Sequence, residues 1–265
     1  MDVFAIATQK PITCKPTEIL GNAVVTMSSK KFRRLPVVVD EQLVGILTAN
    51  DVLNALKNEG LECLKNPVKQ YMVLDPIAVT KETPLGEATT IMFEHGFGGL
   101  PIVSDYETYI LVGIITERDL VKEFVHKIVD ANLSDFVAEP ITVNFSRSKL
   151  RKVIEKMTEE RTSRVILTGS KNSLKGIISS SDILKLVADK YIREQLEEDI
   201  LNLPAKELAA TKLVTANINW SVKEVADLLT KYNFGGVPVV DDNGNLVGIF
   251  SERDLLQIIG LYGLF

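Results

Sequence analysis

The chain has 265 residues, of which 46% are hydrophobic and 25% are charged, and its formal net charge is −5. This composition is typical of a globular protein with one large or two ordinary domains, and the acidic balance excludes a general nucleic-acid surface, which needs a basic face. No apolar run approaches the roughly 20 residues of a membrane helix, and the first ten residues lack the basic start of a signal peptide, so we expect a cytoplasmic protein. The two cysteines, Cys14 and Cys63, do not make a disulfide framework and suit a reducing compartment.

A pattern of five predicted elements occurs four times along the chain. Each copy opens with a short extended segment, and in three copies that segment starts at a proline. The segments are Pro11–Thr13, Pro76–Val79, Pro140–Val143 and Leu213–Thr215. A helix follows each of them. In the second repeat Thr83 is a predicted N-cap before Pro84, and the apolar residues after it recur three and four positions apart, which is the period of an amphipathic helix.

A β-strand comes next, and its start is rich in glycine and arginine. The four starts are Arg33-Arg34-Leu35-Pro36, Gly98-Gly99-Leu100-Pro101, Ser163-Arg164-Val165-Ile166 and Gly235-Gly236-Val237-Pro238. The Gly-Gly pairs lack the G-X-G-X-X-G spacing of a dinucleotide-binding loop. Turn-forming residues, such as Asp241 to Gly244, then lead into a second strand.

The second strand and the helix after it share an apolar–X–Gly–apolar–apolar–[Thr/Ser]–X–X–Asp–apolar pattern. Its four copies are Leu43–Leu53, Leu111–Leu120, Leu174–Leu184 and Leu246–Leu256. The glycine of each copy permits either close strand packing or clearance for a ligand, and both interpretations stay open. We expect the closing helix of the third repeat to run long, toward Leu203, because Pro204 would end it there.

Each junction between the second strand and its helix combines a hydroxyl with a carboxylate. The Thr or Ser can cap the helix, and the free N–H groups and the helix dipole at that point favour a phosphate. The Asp three residues later either completes a capping box or turns its carboxylate outward, toward a pair of ribose hydroxyls. Four copies in register favour a shared site, while the sequence leaves both roles open.

These blocks, together with the two Gly-Gly-X-Pro strands and Arg33-Arg34-Leu35-Pro36, resemble cystathionine-β-synthase (CBS) domains. The four-fold array is similar to the gamma subunit of AMP-activated protein kinase and its archaeal four-repeat relatives. The resemblance implies an α/β (α+β) fold of four β-α-β-β-α repeats paired into two Bateman modules. Repeats 1 and 2 would form residues 1–128, and repeats 3 and 4 would form residues 129–265.

The resemblance also implies a role for individual residues in binding an adenine nucleotide. The aspartates that would hold ribose hydroxyls are Asp51, Asp119, Asp182 and Asp254. The residues that would lie near phosphate are Thr48, Asn50, Thr116, Arg118, Ser179, Ser181, Ser251, Arg253, Arg33, Arg34, Ser163 and Arg164. The residues that would line the adenine are Ile12, Ile77, Ile141, Val214, Pro36, Pro101 and Pro238.

Some of these positions have an alternative interpretation. Arg118 and Arg253 could instead pair with Glu117 and Glu252 on a solvated helix end. The kinase subunit has His-Arg before the strand where this chain has Arg33-Arg34 in the first repeat and Ser163-Arg164 in the third.

The motifs argue against an enzyme, because the chain contains no P-loop, no HEXXH, no CXXC and no serine-centred elbow. We therefore expect a non-catalytic regulatory module that senses AMP, ADP or ATP and acts on a separate, unidentified effector protein. It would need no metal beyond the Mg²⁺ that accompanies ATP, and it would bind neither membrane nor nucleic acid; a homodimer is left open. The alternatives are a constitutive CBS scaffold with empty clefts, and a sensor of another adenosyl ligand such as S-adenosylmethionine.

Overall fold

The computed structural model describes residues 1–128, 131–197 and 199–264. Its helices and strands follow the predicted repeat. In the first half of the chain they are β1 (Thr8–Gln9), α1 (Leu20–Lys30), β2 (Arg34–Val39), β3 (Gln42–Thr48), α2 (Ala49–Glu59), β4 (Val73–Leu74), β5 (Val79–Thr80), α3 (Leu85–His95), β6 (Gly99–Val103), β7 (Leu111–Thr116) and α4 (Glu117–Phe124). In the second half they are β8 (Thr142–Asn144), α5 (Leu150–Glu159), β9 (Arg164–Thr168), β10 (Leu174–Ser179), α6 (Ser180–Ile192), α7 (Ala205–Leu208), β11 (Ala216–Asn217), α8 (Val222–Tyr232), β12 (Gly236–Val240), β13 (Leu246–Ser251) and α9 (Glu252–Leu261).

Every repeat is built on an antiparallel pair of strands between two helices. The pairs are β2–β3, β6–β7, β9–β10 and β12–β13. The opening segment adds a short parallel strand to the pair in repeats 2, 3 and 4, and in repeat 1 it adds a single parallel bridge between Cys14 and Val37. The β-α-β-β-α order of the repeats is confirmed.

The glycine that recurs in the second strand of each repeat lies beside an irregularity in strand pairing and a close backbone neighbour. In repeat 1, Val37 pairs with Gly45 and Val38 with Leu43, so the register shifts between them. A Cβ on Gly45 would lie 3.0 Å from the carbonyl oxygen of Val73, whose strand β4 pairs with β3. The glycine therefore serves close strand packing here, which is one of the two interpretations left open by the sequence.

The chain divides into two compact units, each of which combines two repeats that are not adjacent in sequence. The 1/3 unit contains residues 12–76 and 141–213, and the 2/4 unit contains residues 1–11, 77–140 and 214–265. Residues Val129 and Asp130, at the predicted boundary between modules, lie outside the described residues. The Bateman modules of residues 1–128 and 129–265 are a different grouping of the repeats, and their boundaries stay a prediction.

The 1/3 unit is held together by helix packing over one apolar core. Helix α1 packs on α6, and α2 packs on α5. The buried side chains of this core come from both repeats and include Leu20, Leu53, Ile154 and Ile183. Tyr191 of α6 also donates a hydrogen bond of 3.1 Å to the side-chain oxygen of Asn22 on α1. The apolar faces of these helices thus bury each other.

The 2/4 unit has a separate core with the same plan. Helix α9 packs on α4 and on α3. Phe250, Leu100, Ile115 and Leu255 are among its fully buried side chains. In each unit, therefore, the helices that close its two repeats begin within one packed body. These closing helices are α2 and α6 in the 1/3 unit and α4 and α9 in the 2/4 unit. The same packed body contains the strand starts that are hydrogen-bonded to them.

Helix α6 is shorter than the sequence predicts. It ends at Ile192, and Glu194 has a φ of 57°. The expectation that it runs toward Leu203 is wrong, because the chain turns through this left-handed residue well before Pro204. Across the described residues, no helix is both long enough and apolar enough to cross a membrane.

Candidate functional site

The four aspartates predicted to hold ribose close a capping box at the start of their helices. In every repeat one carboxylate oxygen, Oδ2, accepts a hydrogen bond from the backbone N–H of the cap residue at 2.7–2.9 Å. The same oxygen accepts a bond from the cap hydroxyl at 2.6–2.7 Å. The pairs are Thr48–Asp51, Thr116–Asp119, Ser179–Asp182 and Ser251–Asp254. Of the two roles left open by the sequence, the capping box is therefore formed in all four repeats.

The capping box uses only half of each carboxylate. The second oxygen, Oδ1, accepts no hydrogen bond from a described residue, and the aspartate side chains are neither fully buried nor fully exposed. Burial is the largest influence on the pKa of Asp51 and Asp254 and raises it, against the cap hydrogen bonds, which lower it. A hydrogen-bond donor that reached Oδ1 would favour the charged form of the aspartate. Because the cap bonds fix the carboxylate, each capping box offers Oδ1 as an acceptor in a fixed orientation.

Two arginines of the 1/3 unit meet at one serine. Arg33 of repeat 1 donates from Nη1 to Ser163 Oγ at 3.4 Å, and Arg164 of repeat 3 donates to the same oxygen at 3.1 Å. The backbone holds them at the helix starts, since Ala49 N–H bonds Arg33 O and Ser180 N–H bonds Ser163 O, both at 2.9 Å. Three residues predicted to contact phosphate thus lie together, although Arg33 and Ser163 are 130 positions apart.

The remaining phosphate candidates of the 1/3 unit lie around the same helix starts. Arg34 is half-buried and lies opposite Thr48 in the strand register, and Arg164 lies opposite Ser179 in the same way. Asn50 is half-buried and Ser181 is exposed. Their contact with phosphate stays a prediction.

Ser180 is a polar residue of this site that the sequence analysis did not single out. It is the first residue of α6 and only 2% exposed, and its hydroxyl has no hydrogen-bond partner among the described residues. A buried hydroxyl without a partner costs about 1–3 kcal/mol, so such an atom is uncommon in a folded protein. It lies directly after the cap Ser179 and is tied by its backbone to Ser163.

The matching arginines of the 2/4 unit are held by glutamates. Arg118 Nε donates to Glu252 Oε1 at 2.6 Å, and Arg253 Nε lies 3.9 Å from Glu117 Oε1. Glu117 is 9% exposed and Glu252 is 6% exposed. The sequence suggested that these arginines could pair with these glutamates. The structure pairs them crosswise, so that each arginine meets the glutamate of the other repeat.

The two units therefore carry different charges at equivalent positions. Where the 1/3 unit has Arg33 and Ser163 before its strands, the 2/4 unit has Gly98 and Gly235. Where the 2/4 unit begins its helices with Glu117 and Glu252, the 1/3 unit has the uncharged residues Ala49 and Ser180. An alignment of the four repeats against each other would have displayed this contrast, but only the fold shows which side chains meet.

The residues predicted to line adenine fall into two groups. Ile12, Ile77 and Val214 are exposed, at 41%, 39% and 37%. Ile141 is partly buried against the core. The prolines Pro36, Pro101 and Pro238 are buried within their strands. The exposed apolar side chains offer a surface to a flat ring, while contact by the prolines stays a prediction that their burial does not favour.

A model of the CBS domain matches the chain four times, at residues 3–58, 68–126, 133–189 and 205–261. The chain belongs to the CBS-domain family. The predicted α/β (α+β) fold of four CBS repeats is thereby confirmed, and each matched segment contains one of the four capping aspartates.

Two relatives resemble this CBS-domain protein along nearly its whole length. Protein MJ1225 of Methanocaldococcus jannaschii is 29% identical over 277 residues, which are 96% of this chain and 98% of MJ1225. Its crystal structure, described as that of a proposed archaeal homologue of γ-AMPK, matches with a TM-score of 0.86 over 97% of this chain and 99% of that one. A conserved protein from Pyrococcus horikoshii has the same fold, with a TM-score of 0.65 and 21% identity over 98% of this chain and 100% of that one.

An enzyme is also among the relatives. The inosine-5′-monophosphate dehydrogenase of Methanocaldococcus jannaschii is 28% identical over 255 residues. The matched region is 88% of this chain and 49% of the enzyme.

Proposed function

We propose that this CBS-domain protein is a non-catalytic module that binds adenine nucleotides (AMP, ADP or ATP) and thereby regulates a separate effector protein. The observation that carries this proposal is the shared state of Asp51, Asp119, Asp182 and Asp254. Each is held by its capping box through Oδ2, while Oδ1 accepts nothing from a described residue. An ionised carboxylate can only accept, and hydrogen bonds to it are strong, so it suits ribose hydroxyls.

The 1/3 unit supports the phosphate side of the proposal. Arg33 and Arg164 both donate to Ser163, and this places two guanidinium groups close together. The helices that begin beside them, α2 and α6, direct free N–H groups and the positive end of their dipoles to the same region. Guanidinium groups bind phosphate oxygens in a bidentate manner.

The similarity to MJ1225 supports a regulatory role. That protein is described as a proposed archaeal homologue of γ-AMPK and matches this chain almost end to end. A regulatory ligand works by binding one conformation of the module more tightly than another, which changes the surface offered to the effector. Among the described residues no group of three or more His, Cys, Asp or Glu is placed to hold a metal, and we propose no metal beyond Mg²⁺ bound with ATP.

Two alternative functions differ from the proposed one in the ligand that is bound. A different adenosyl ligand, such as S-adenosylmethionine, would use the same carboxylates without a phosphate. A constitutive CBS scaffold would bind none of these compounds, and its capping boxes would serve folding alone.

Calorimetric titration of the Asp51→Asn variant tests the proposed function. The asparagine carbonyl can still accept the cap bonds, but its amide replaces the Oδ1 acceptor with a donor. A hydrogen bond to a charged group contributes about 1.5–3 kcal/mol, so we expect AMP and adenosine to bind this site about 10- to 150-fold more weakly.

The exposed Asp189 on α6 is the matched control. Asp189→Asn should leave all affinities unchanged. Equal binding of AMP by Asp51→Asn and wild type would show that the aspartate only caps its helix. Binding of S-adenosylmethionine in preference to AMP would favour the first alternative, and no binding of any adenosine compound would favour the scaffold.

A further inference from the structure

Two buried glutamates occupy the first positions of α4 and α9 in the 2/4 unit, and each faces an arginine of the opposite repeat. Glu252 accepts a 2.6 Å charge-assisted bond from Arg118, and Glu117 lies 3.9 Å from Arg253. Both glutamates are at least nine-tenths buried. A carboxylate at the first position of a helix also meets the positive end of the dipole. The glutamates thus hold the place and the charge that a phosphate group would take beside these arginines and helix starts.

A phosphorylated ligand at this end of the unit would meet a penalty. To take the Nε bond of Arg118, a phosphate must displace Glu252 from its cation. Removing one partner of a buried ion pair is strongly unfavourable. A phosphate that entered without displacing it would lie near two like charges, which repel it in a partly desolvated site.

The 1/3 unit differs at the corresponding helix positions. Its closing helices begin with Ala49 and Ser180 instead of glutamates, and Ser180 contributes a buried hydroxyl without a partner. Its strand starts supply Arg33 and Arg164, which both reach Ser163. The two units share the capping boxes that suit ribose and differ in the charge beside them.

We propose that Glu117 and Glu252 select ligands by their charge. They restrict binding at the carboxylates of Asp119 and Asp254 to adenosine ligands that carry no phosphate. Phosphorylated adenosine compounds bind at the 1/3 unit instead. This inference rests on the proposed function, since it assigns ligand classes to sites of that function. It makes one protein responsive to two kinds of adenosine compound.

The test uses the Asp51→Asn/Asp182→Asn protein, in which the remaining binding reports Asp119 and Asp254. Adenosine, AMP and ATP are titrated into this protein and into versions that also carry Glu117→Gln and Glu252→Gln. Glutamine keeps an oxygen for the arginine and removes the charge. We expect the affinity for ATP relative to adenosine to rise about tenfold or more, while adenosine affinity changes little.

Glu107→Gln, in an exposed loop of the same unit, is the matched control and should leave that ratio unchanged. An unchanged ratio in the double-glutamine protein would overturn the inference, even if adenosine binds normally. ATP binding as tight as adenosine binding before the glutamine changes would overturn it as well. If the double variant fails to fold, as judged by circular dichroism, Glu117→Gln alone is used, because its ion pair is the longer one.

Different results would contradict the proposed function and this inference. If wild type binds no adenosine compound, the function and this inference fall together. If wild type binds AMP and loses that affinity in Asp51→Asn, the function stands whatever the glutamine variants do.

Discussion

At the scale of single residues, the candidate site is defined by the hydrogen bonds that its charged groups make. Each capping aspartate uses one oxygen and retains the other. Arg118 is neutralised by Glu252 at 2.6 Å, whereas Arg33 and Arg164 both bond the hydroxyl of Ser163. The 1/3 unit thus gathers two guanidinium groups at one serine beside two helix starts. This arrangement favours an anion.

Replacing Arg33 or Arg164 by Ala should weaken the binding of ligands in proportion to their phosphate charge. We expect AMP and ATP to lose about 10-fold or more in affinity, because bonds between charged groups contribute about 1.5–3 kcal/mol, while adenosine binding stays nearly constant. Calorimetric titration at two salt concentrations measures both effects, since screening should reduce the loss. Arg151→Ala, on the exposed face of α5, is the control.

Equal losses for adenosine and ATP would mean that these arginines support the fold rather than bind phosphate. No loss for any ligand would place the phosphate elsewhere, most directly at Arg118 and Arg253.

At the scale of secondary structure, the glycine of each second strand decides how closely a further backbone segment can approach. A Cβ on Gly45 would lie 2.8 Å from Met72 Sδ and 3.0 Å from Val73 O, where β4 pairs with β3. On Gly113 it would lie 3.3 Å from Thr8 O, where β1 pairs with β7. The same sequence position therefore supports an added strand in both units, with less space at Gly45.

Gly45→Ala should destabilise the protein more than Gly113→Ala. An added methyl group in a closely packed interior costs typically about 1–3 kcal/mol, and we expect Gly45→Ala in that range and Gly113→Ala at or below its lower end. Urea unfolding followed by circular dichroism measures both. A larger loss for Gly113→Ala would show that β4 yields more readily than β1, contrary to the packing described above.

At the scale of the whole molecule, four repeats of one design make two packed units. Each unit has its own apolar core and brings two closing helices together at their starts. The four CBS matches extend over most of the chain. In both units the side-chain hydrogen bonds of the capping aspartates are made to the cap residues of their own helices. Each carboxylate is thereby held in a fixed orientation at the start of its helix.

Purified protein incubated with ATP and Mg²⁺ should release no phosphate above the rate of the buffer alone. The physical reason is that each carboxylate is engaged in the capping box of its helix. A colorimetric phosphate assay over several hours checks this expectation. Turnover that disappears in Asp119→Asn would contradict it and favour an enzyme.

The helix caps show which part of the site could be predicted from the sequence. The capping residues lie three positions apart, so Thr48 and Asp51 form their contact within one helical turn wherever the helix sits. The cap and the start of the helix that closes each repeat were predicted for the same reason. The predicted N-cap Thr83 is wrong, because α3 begins at Leu85 and Pro84 occupies the N-cap position. The expected length of α6 was wrong, because the left-handed residue Glu194 that ends it is not a glycine or a proline.

By itself, the sequence determined the repeat, the order of its elements and the capping boxes, because all of these depend on residues close together in the chain. Only the tertiary structure decided which polar side chains meet. Arg118 and Glu252 are 134 positions apart, and Arg33 and Ser163 are 130 apart. Their meeting depends on how helices of non-adjacent repeats pack. Hydrophobic burial brings those helices together, and it does so without regard to the polar side chains at their ends.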